Sequence, residues 1–161
     1  MTKIYRKGAV GALLDEYERA LADLKKVIES VTDDELCVIA DAETKEEDCR
    51  SIQTVMAHVV YAGYGYATSI HNLKGHNKIR PPKNPRSTSA EYVQDLTGVF
   101  AFTEKVLQEF NDNELEQHDN SLKIKAGWGQ IYDTEQMMEH AIVHILRHRR
   151  QIERFILVIS R

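Results

Sequence analysis

The chain has few of the residues that interrupt helices or cross-link a small fold. Its 161 residues include three prolines, eight glycines and two cysteines. Low proline and glycine content, together with long apolar-periodic stretches, favours an all-α fold. Cys37 and Cys49 form neither a CxxC motif nor a metal-type spacing. This excludes a disulfide scaffold and favours reduced thiols in a cytoplasmic protein.

Excess positive charge is also missing. The net charge is -4 and the pI is near 6.0, which argues against nucleic acid as a partner. Residues 51–73 lack Lys, Arg, Asp and Glu, and the stretch is long enough to cross a bilayer. Its three tyrosines lie in the middle rather than at the ends, where membrane spans place aromatic residues. We therefore interpret it as a helix surrounded by other helices, without a membrane partner.

Four long helical segments are predicted from the apolar spacing. They cover about 8–30, 51–75 and 90–110, with a last segment that begins after Asp133 or Thr134 and ends near 159. Thr32 and Glu35 have the spacing of a capping box, and Ser89 or a neighbour is expected to cap the third segment. The linker 74–89 holds all three prolines and is long enough to cross the end of a bundle. Together these features predict one domain over residues 1–161, a four-helix bundle with a long crossover linker.

The last helical segment carries three histidines one turn apart, His140, His144 and His148. Residues four apart lie on the same helix face, and imidazole is the commonest ligand for borderline metals. His140 and His148 are roughly 12 Å apart along the axis, too far to share one ion easily. The stripe therefore offers two alternative pairs, His140/His144 and His144/His148. Exposure of all three on a polar face, without any metal, is the competing interpretation.

A third ligand has to come from another helix. Of the remaining histidines, only His58 lies in the middle of a helix within an uncharged stretch. Three neutral imidazoles leave coordination positions open, as catalytic zinc sites do. Tyr61 and Gln151, each about one turn beyond a histidine, are candidates for proton donation and for orienting a ligand. Packing or surface roles are the alternative for both, and Trp128 is expected to plug a bundle end rather than line a pocket mouth.

The pattern resembles the DinB-like superfamily, which includes YfiT-type members and consists of small bacterial four-helix bundles regarded as metalloenzymes. The resemblance rests on the four helical segments in order, on Ser-Ile-Gln-Thr-Val-Met-Ala-His at 51–58, and on His-x-x-x-His-Arg-x-Gln at 144–151. By position, it implies His58, His144 and His148 as metal ligands, with His140 outside. The family often has Gly where this chain has Arg150, which leaves the ligand pair unaffected.

The resemblance also implies a range of activities. Members bind zinc or nickel, homodimers are common, and some relatives are transferases or isomerases that use a low-molecular-weight thiol. The leading hypothesis is a metal-dependent enzyme that acts on a small molecule, either a thiol-dependent S-transferase or a hydrolase. The alternatives are a non-enzymatic metal-binding or stress-response protein, and a helical interaction module without metal.

Overall fold

A computed structural model of the chain describes residues 4–160, in which four long helices dominate. They lie within about three residues of the predicted boundaries, so the all-α prediction is confirmed. The helices are α1 (Gly8–Glu29), α2 (Asp33–Leu36), α3 (Ile52–Asn72), α4 (Ser89–Leu107) and α5 (Thr134–Ile159). Three single-turn 3-10 helices occupy Glu47–Cys49, Asp112–Glu114 and Asn120–Leu122.

Polar side chains fix the starts of four of these helices. Thr32, Ser51, Thr88 and Asp133 each accept a hydrogen bond from the backbone N–H three residues later. In each case the third residue bonds back to the capping residue, which completes a capping box. The predicted box at Thr32 is present, and the cap of α4 is Thr88, the neighbour of Ser89.

The long helices form a closed bundle. α1 packs against α4 and α5, and α3 packs against the same two helices, so α1 and α3 lie diagonally opposite. Apolar side chains from all four fill the centre, among them Leu24, Ile28, Ile52, Met56, Leu96 and Ile152, none of which is exposed to solvent. None of the helices between residues 4 and 160 combines the length and apolar character required to cross a membrane.

The predicted long linker connects α3 to α4 and allows the two helices to run parallel. Its path runs back along α3 rather than over the end of the bundle. The Arg80 guanidinium lies 3.5 Å above the ring of Tyr61 in the middle of α3. Farther along, the Arg86 carbonyl accepts a hydrogen bond of 2.9 Å from the Gln53 side chain in the first turn of α3. The linker therefore returns the chain to the end of the bundle at which α3 begins, and α4 runs parallel to α3.

Glycines on α3 allow two close approaches. A Cβ at Gly63 would lie 2.7 Å from Val99 Cγ1 on α4, so this glycine lets the two helices meet. At Gly65, however, the close neighbour is the side chain of Arg80 in the linker.

A small hairpin precedes α5. Strands β1 (Ile124–Lys125) and β2 (Ile131–Tyr132) pair antiparallel. Gly129 has a φ of +91°, a conformation that favours glycine, and its N–H bonds the Ala126 carbonyl. The turn presents Trp128 with 51% of its surface exposed. Trp128 thus does not plug a bundle end.

Candidate metal centre

Three histidines from two helices converge inside the bundle. His58 lies on α3, and His144 and His148 lie one turn apart on α5; one nitrogen of each is within 4.8 Å of the others. The Nε2 atoms of His58 and His144 are 3.0 Å apart. Two ring nitrogens at this distance repel each other through their lone pairs unless a proton or a cation lies between them. The donor set is the one that borderline divalent metals prefer.

Electrostatics keep these imidazoles neutral. Burial lowers the pKa of His58, His144 and His148 below the ordinary value for histidine. The effect is largest for His144, whose pKa falls to about 2 because burial is reinforced by the charges of His148 and His58. Metals bind the neutral form of imidazole, so no proton has to be removed at neutral pH.

Two polar side chains hold the outer nitrogens of the histidines. Asp48 Oδ2 lies 3.2 Å from His58 Nδ1, and Lys83 Nζ bonds both oxygens of the same carboxylate at 2.6 and 2.8 Å. Burial raises the pKa of Asp48, but the hydrogen bonds and charge of Lys83 outweigh it, so the net shift is downward. Gln151 Oε1 lies 2.8 Å from His148 Nδ1. Such partners orient metal-ligating imidazoles and increase their basicity.

The third imidazole supplies a further test of fit. His144 Nδ1 is buried and has no hydrogen-bond partner among residues 4–160. The Nε2 atom of His144 faces His58, and its Nδ1 atom has no partner in that range. Hydrogen bonds within residues 4–160 therefore do not satisfy the His144 ring. A cation bound to the three Nε2-side nitrogens would remove the repulsion at 3.0 Å, so the residues present fit a divalent metal.

A second group of potential ligands lies at the far end of α3. His71, His76 and Glu109 also have one ligand atom each within 4.8 Å. Here the Nε2 atoms of His71 and His76 lie 3.1 and 2.8 Å from the two Glu109 oxygens. The carboxylate accepts from both rings, which pairs one nitrogen of each with a charge, while His71 Nδ1 is buried without a hydrogen-bond partner among residues 4–160.

Of the remaining predicted residues, the structure brings Gln151 to the three-histidine group and places His140 and Tyr61 outside it. The ring of His140 stacks on Trp128, with centroids 5.0 Å apart at an interplanar angle of 20°, and its own centroid is 6.3 Å from that of His144. Gln151 contacts His148 directly. The ring of Tyr61 lies under Arg80 rather than against a histidine ring.

Sequence reasoning missed two residues at the centre. The ring of Tyr66 packs edge-on against His144 and His140 at 5.5 and 5.3 Å, and burial raises the pKa of Tyr66 to about 12. Its position on α3, eight residues after His58, is the signal that could have drawn attention to it. Asp48 lies in the single-turn 3-10 helix before α3, which is too short for periodicity to indicate which side chains approach a site.

Comparison with known proteins agrees with this geometry. The sequence matches the DinB family over residues 4–156. The chain belongs to the DinB family. The resemblance inferred from the sequence is therefore confirmed. No curated protein sequence matches the chain.

A solved structure supports the DinB fold. The crystal structure of a conserved protein from Enterococcus faecalis superposes with a TM-score of 0.66 at 11% identity, and the alignment covers 96% of this chain and 99% of that one. At such low identity the likeness concerns the fold alone. The group that can hold a metal in this DinB family member is thus defined by its own residues.

Proposed function

We propose that this DinB family protein is a metal-dependent enzyme whose divalent ion is held by His58, His144 and His148. The observation that supports it most directly is the convergence of three neutral imidazoles, with two Nε2 atoms 3.0 Å apart and no other described partner for His144. A bound divalent ion would lower the pKa of water or a thiol and thereby supply a nucleophile at neutral pH.

The surrounding residues have distinct tasks in this proposal. Asp48 and Gln151 accept hydrogen bonds from the outer nitrogens of His58 and His148, which directs the inner nitrogens toward a common point. Tyr66 covers His144 on one side and keeps its hydroxyl proton at neutral pH, so it can donate a hydrogen bond. His140 and Trp128 stack beside it and limit the access of water.

The reaction we propose is transfer of a low-molecular-weight thiol to an electrophilic small molecule, with hydrolysis as the second candidate. Three protein ligands favour either reaction because they leave coordination positions for an exchangeable group. Zinc and nickel are the proposed metals because both accept imidazole nitrogen.

Metal content and activity test this proposal together. We expect purified protein to bind about one equivalent of zinc or nickel and the His148→Ala variant to lose it. His118→Ala, which changes an exposed histidine outside the site, should bind metal as the wild type does. Thiol consumption with a generic electrophile should be lost together with the metal. Metal-free wild type, or His148→Ala with full metal content, would contradict the proposal.

We also propose that the protein is a cytoplasmic single-domain homodimer. Val143, Leu146 and Leu157 on α5 expose 60, 40 and 65% of their surface. They lie within about 60° of one another around the helix axis at 3.6 residues per turn, and such an apolar stripe is suited to a symmetric contact. Light scattering would give twice the chain mass, whereas Leu157→Glu should shift the protein toward monomer.

A further inference from the structure

A cavity lies beside Tyr66, the tyrosine that contacts His144. Its volume is about 420 Å³, and its walls come from α3, the linker and the hairpin turn. Tyr66, Asn72, Lys78, Arg80, Lys125 and Trp128 are among the residues that line it. Ligand sites for small molecules typically enclose about 300–1,000 Å³, so the cavity can hold one.

The charge of the cavity wall is one-sided. Lys78, Arg80 and Lys125 line it, and no Asp or Glu does. This is unexpected in a chain with 25 acidic and 21 basic residues. Between residues 4 and 160, none of these three cations forms a salt bridge with a carboxylate. The wall therefore offers three unneutralised positive charges to a ligand.

Neutral contacts fix the backbone of Lys78 and the side chain of Arg80. Asn72 bonds the backbone of Lys78 twice, through its amide nitrogen at 3.0 Å and its oxygen at 2.9 Å. The guanidinium of Arg80 rests on the ring of Tyr61, and Gly65 provides the space it occupies, since a Cβ there would lie 2.5 Å from Nη1. Arg80 is thus positioned without an acidic partner.

The cavity and the histidine group share a wall. Tyr66 lines the cavity and its ring centroid is 5.5 Å from that of His144. Trp128, which also lines the cavity and contacts the Tyr66 ring edge-on, stacks on His140. Arg80 is also close enough for its charge to contribute, after burial, to the lowered pKa of His58. A molecule bound in the cavity would therefore contact Tyr66, whose ring in turn contacts His144.

We propose that this cavity binds the anionic part of the substrate, a carboxylate or phosphate group, and so directs an anionic small molecule to the metal centre. That the bound anion is a substrate rests on the proposed function. Arginine and lysine side chains bind both carboxylate and phosphate groups. Because the three cations form no salt bridge within the described part of the chain, none has to be broken when the anion binds.

The chain's single tryptophan makes the cavity directly observable. Trp128 lies in the cavity wall, so its fluorescence reports on occupancy. Chelator-treated protein would be titrated separately with succinate and with inorganic phosphate at constant ionic strength maintained by chloride. Removal of metal ensures that the anion is not simply binding the ion. We expect saturation with at least one probe, and the comparison distinguishes a carboxylate from a phosphate site.

Charge-neutralising variants identify the binding groups. Arg80→Gln and Lys125→Gln should each raise the Kd of the saturating anion about tenfold, whereas Lys45→Gln, an exposed lysine outside the cavity, should leave it unchanged. Circular dichroism would confirm folding, and if Arg80→Gln unfolds, the exposed Lys78→Gln replaces it. Absence of saturation with both probes, or unchanged affinity in the cavity variants, would overturn the proposal.

Metal analysis of the same samples before chelation separates the two proposals. Full metal content with no anion saturation would overturn the anion site and leave the metal enzyme standing. Anion saturation in a protein that binds no metal would instead overturn the proposed function and show an anion site without metal chemistry.

Discussion

Gln151 Oε1 accepts a hydrogen bond from His148 Nδ1 at 2.8 Å, between side chains three residues apart on α5. Because an amide oxygen can only accept, this bond places the ring proton of neutral His148 on Nδ1. The lone pair is then on Nε2. A residue within the last helix thus selects the tautomer suited to metal binding before any ion arrives.

Replacement of Gln151 should weaken metal binding without abolishing it. We expect Gln151→Leu to raise the Kd for zinc about 10–100-fold, the range typical for loss of an outer hydrogen bond to a ligating histidine. Gln151→Glu keeps an acceptor and should bind at least as tightly as the wild type. Competition with a chromophoric chelator measures both, and equal affinities in all three proteins would show that the bond has no such role.

Replacement of Asp48, which pairs with Nδ1 of His58, should also weaken metal binding, through loss of its charge. Asp48→Asn retains an oxygen near His58 but loses the negative charge that favours its Nδ1 proton. We expect about a tenfold rise in the Kd for zinc. Glu47→Gln changes the neighbouring acid, which pairs with Arg50 at the surface, and serves as the control. A similar rise in the control would indicate a long-range charge effect instead.

Acid should destabilise the metal-free protein through His144. Its folded-state pKa of about 2 lies below the ordinary histidine pKa of 6.5, so the unfolded chain binds the extra proton as the pH falls below 6.5. Stability present above that pH is then lost, by up to about 1.4 kcal/mol per pH unit. Urea unfolding of chelator-treated protein at about pH 7.5 and about pH 5.5 measures the slope.

Two variants locate the origin of that acid sensitivity. His144→Gln removes the titrating group and should unfold with a shallower dependence on pH than the wild type. His118→Gln removes an exposed histidine and should keep the wild-type dependence. If His144→Gln retains the full slope, the acid sensitivity has another source.

The close contact between α3 and α4 predicts a difference between two glycines. In Gly63→Ala the new Cβ would lie 2.7 Å from Val99 Cγ1 and 3.2 Å from the Tyr17 hydroxyl, both in the core. Overpacking of this kind costs about 1–3 kcal/mol, so thermal unfolding should occur at a lower temperature. Gly65→Ala meets the flexible Arg80 side chain and should destabilise less. Equal melting temperatures of the Gly63→Ala and Gly65→Ala variants would mean that α3 and α4 can move apart without cost.

The helices and the histidines were predictable because both depend on short-range spacing. Apolar periodicity places the long helices, and Thr32 with Glu35 identifies a capping box three residues wide. His144 and His148 share a helix face wherever that helix packs. His58 stood out since a polar ring within an uncharged helix needs a partner.

What the sequence did not indicate depends on the path of loops. Asp48 approaches His58 because a 3-10 turn leads into α3, and Arg80 reaches Tyr61 because the linker folds back along that helix. Neither path follows from local propensity. The position of Trp128 was mispredicted because it also depends on a loop path. Trp128 lies in the hairpin turn and stacks on His140.

The two helices that bring the histidines together are far apart in the chain, and this affects when the site can form. His58 and His144 are 86 positions apart. During synthesis α3 emerges well before α5, so no nascent segment holds more than one of the three imidazoles until α5 has been made. Under the proposed function, the three-histidine site can therefore take up its metal only after α5 has been made and has packed against α3.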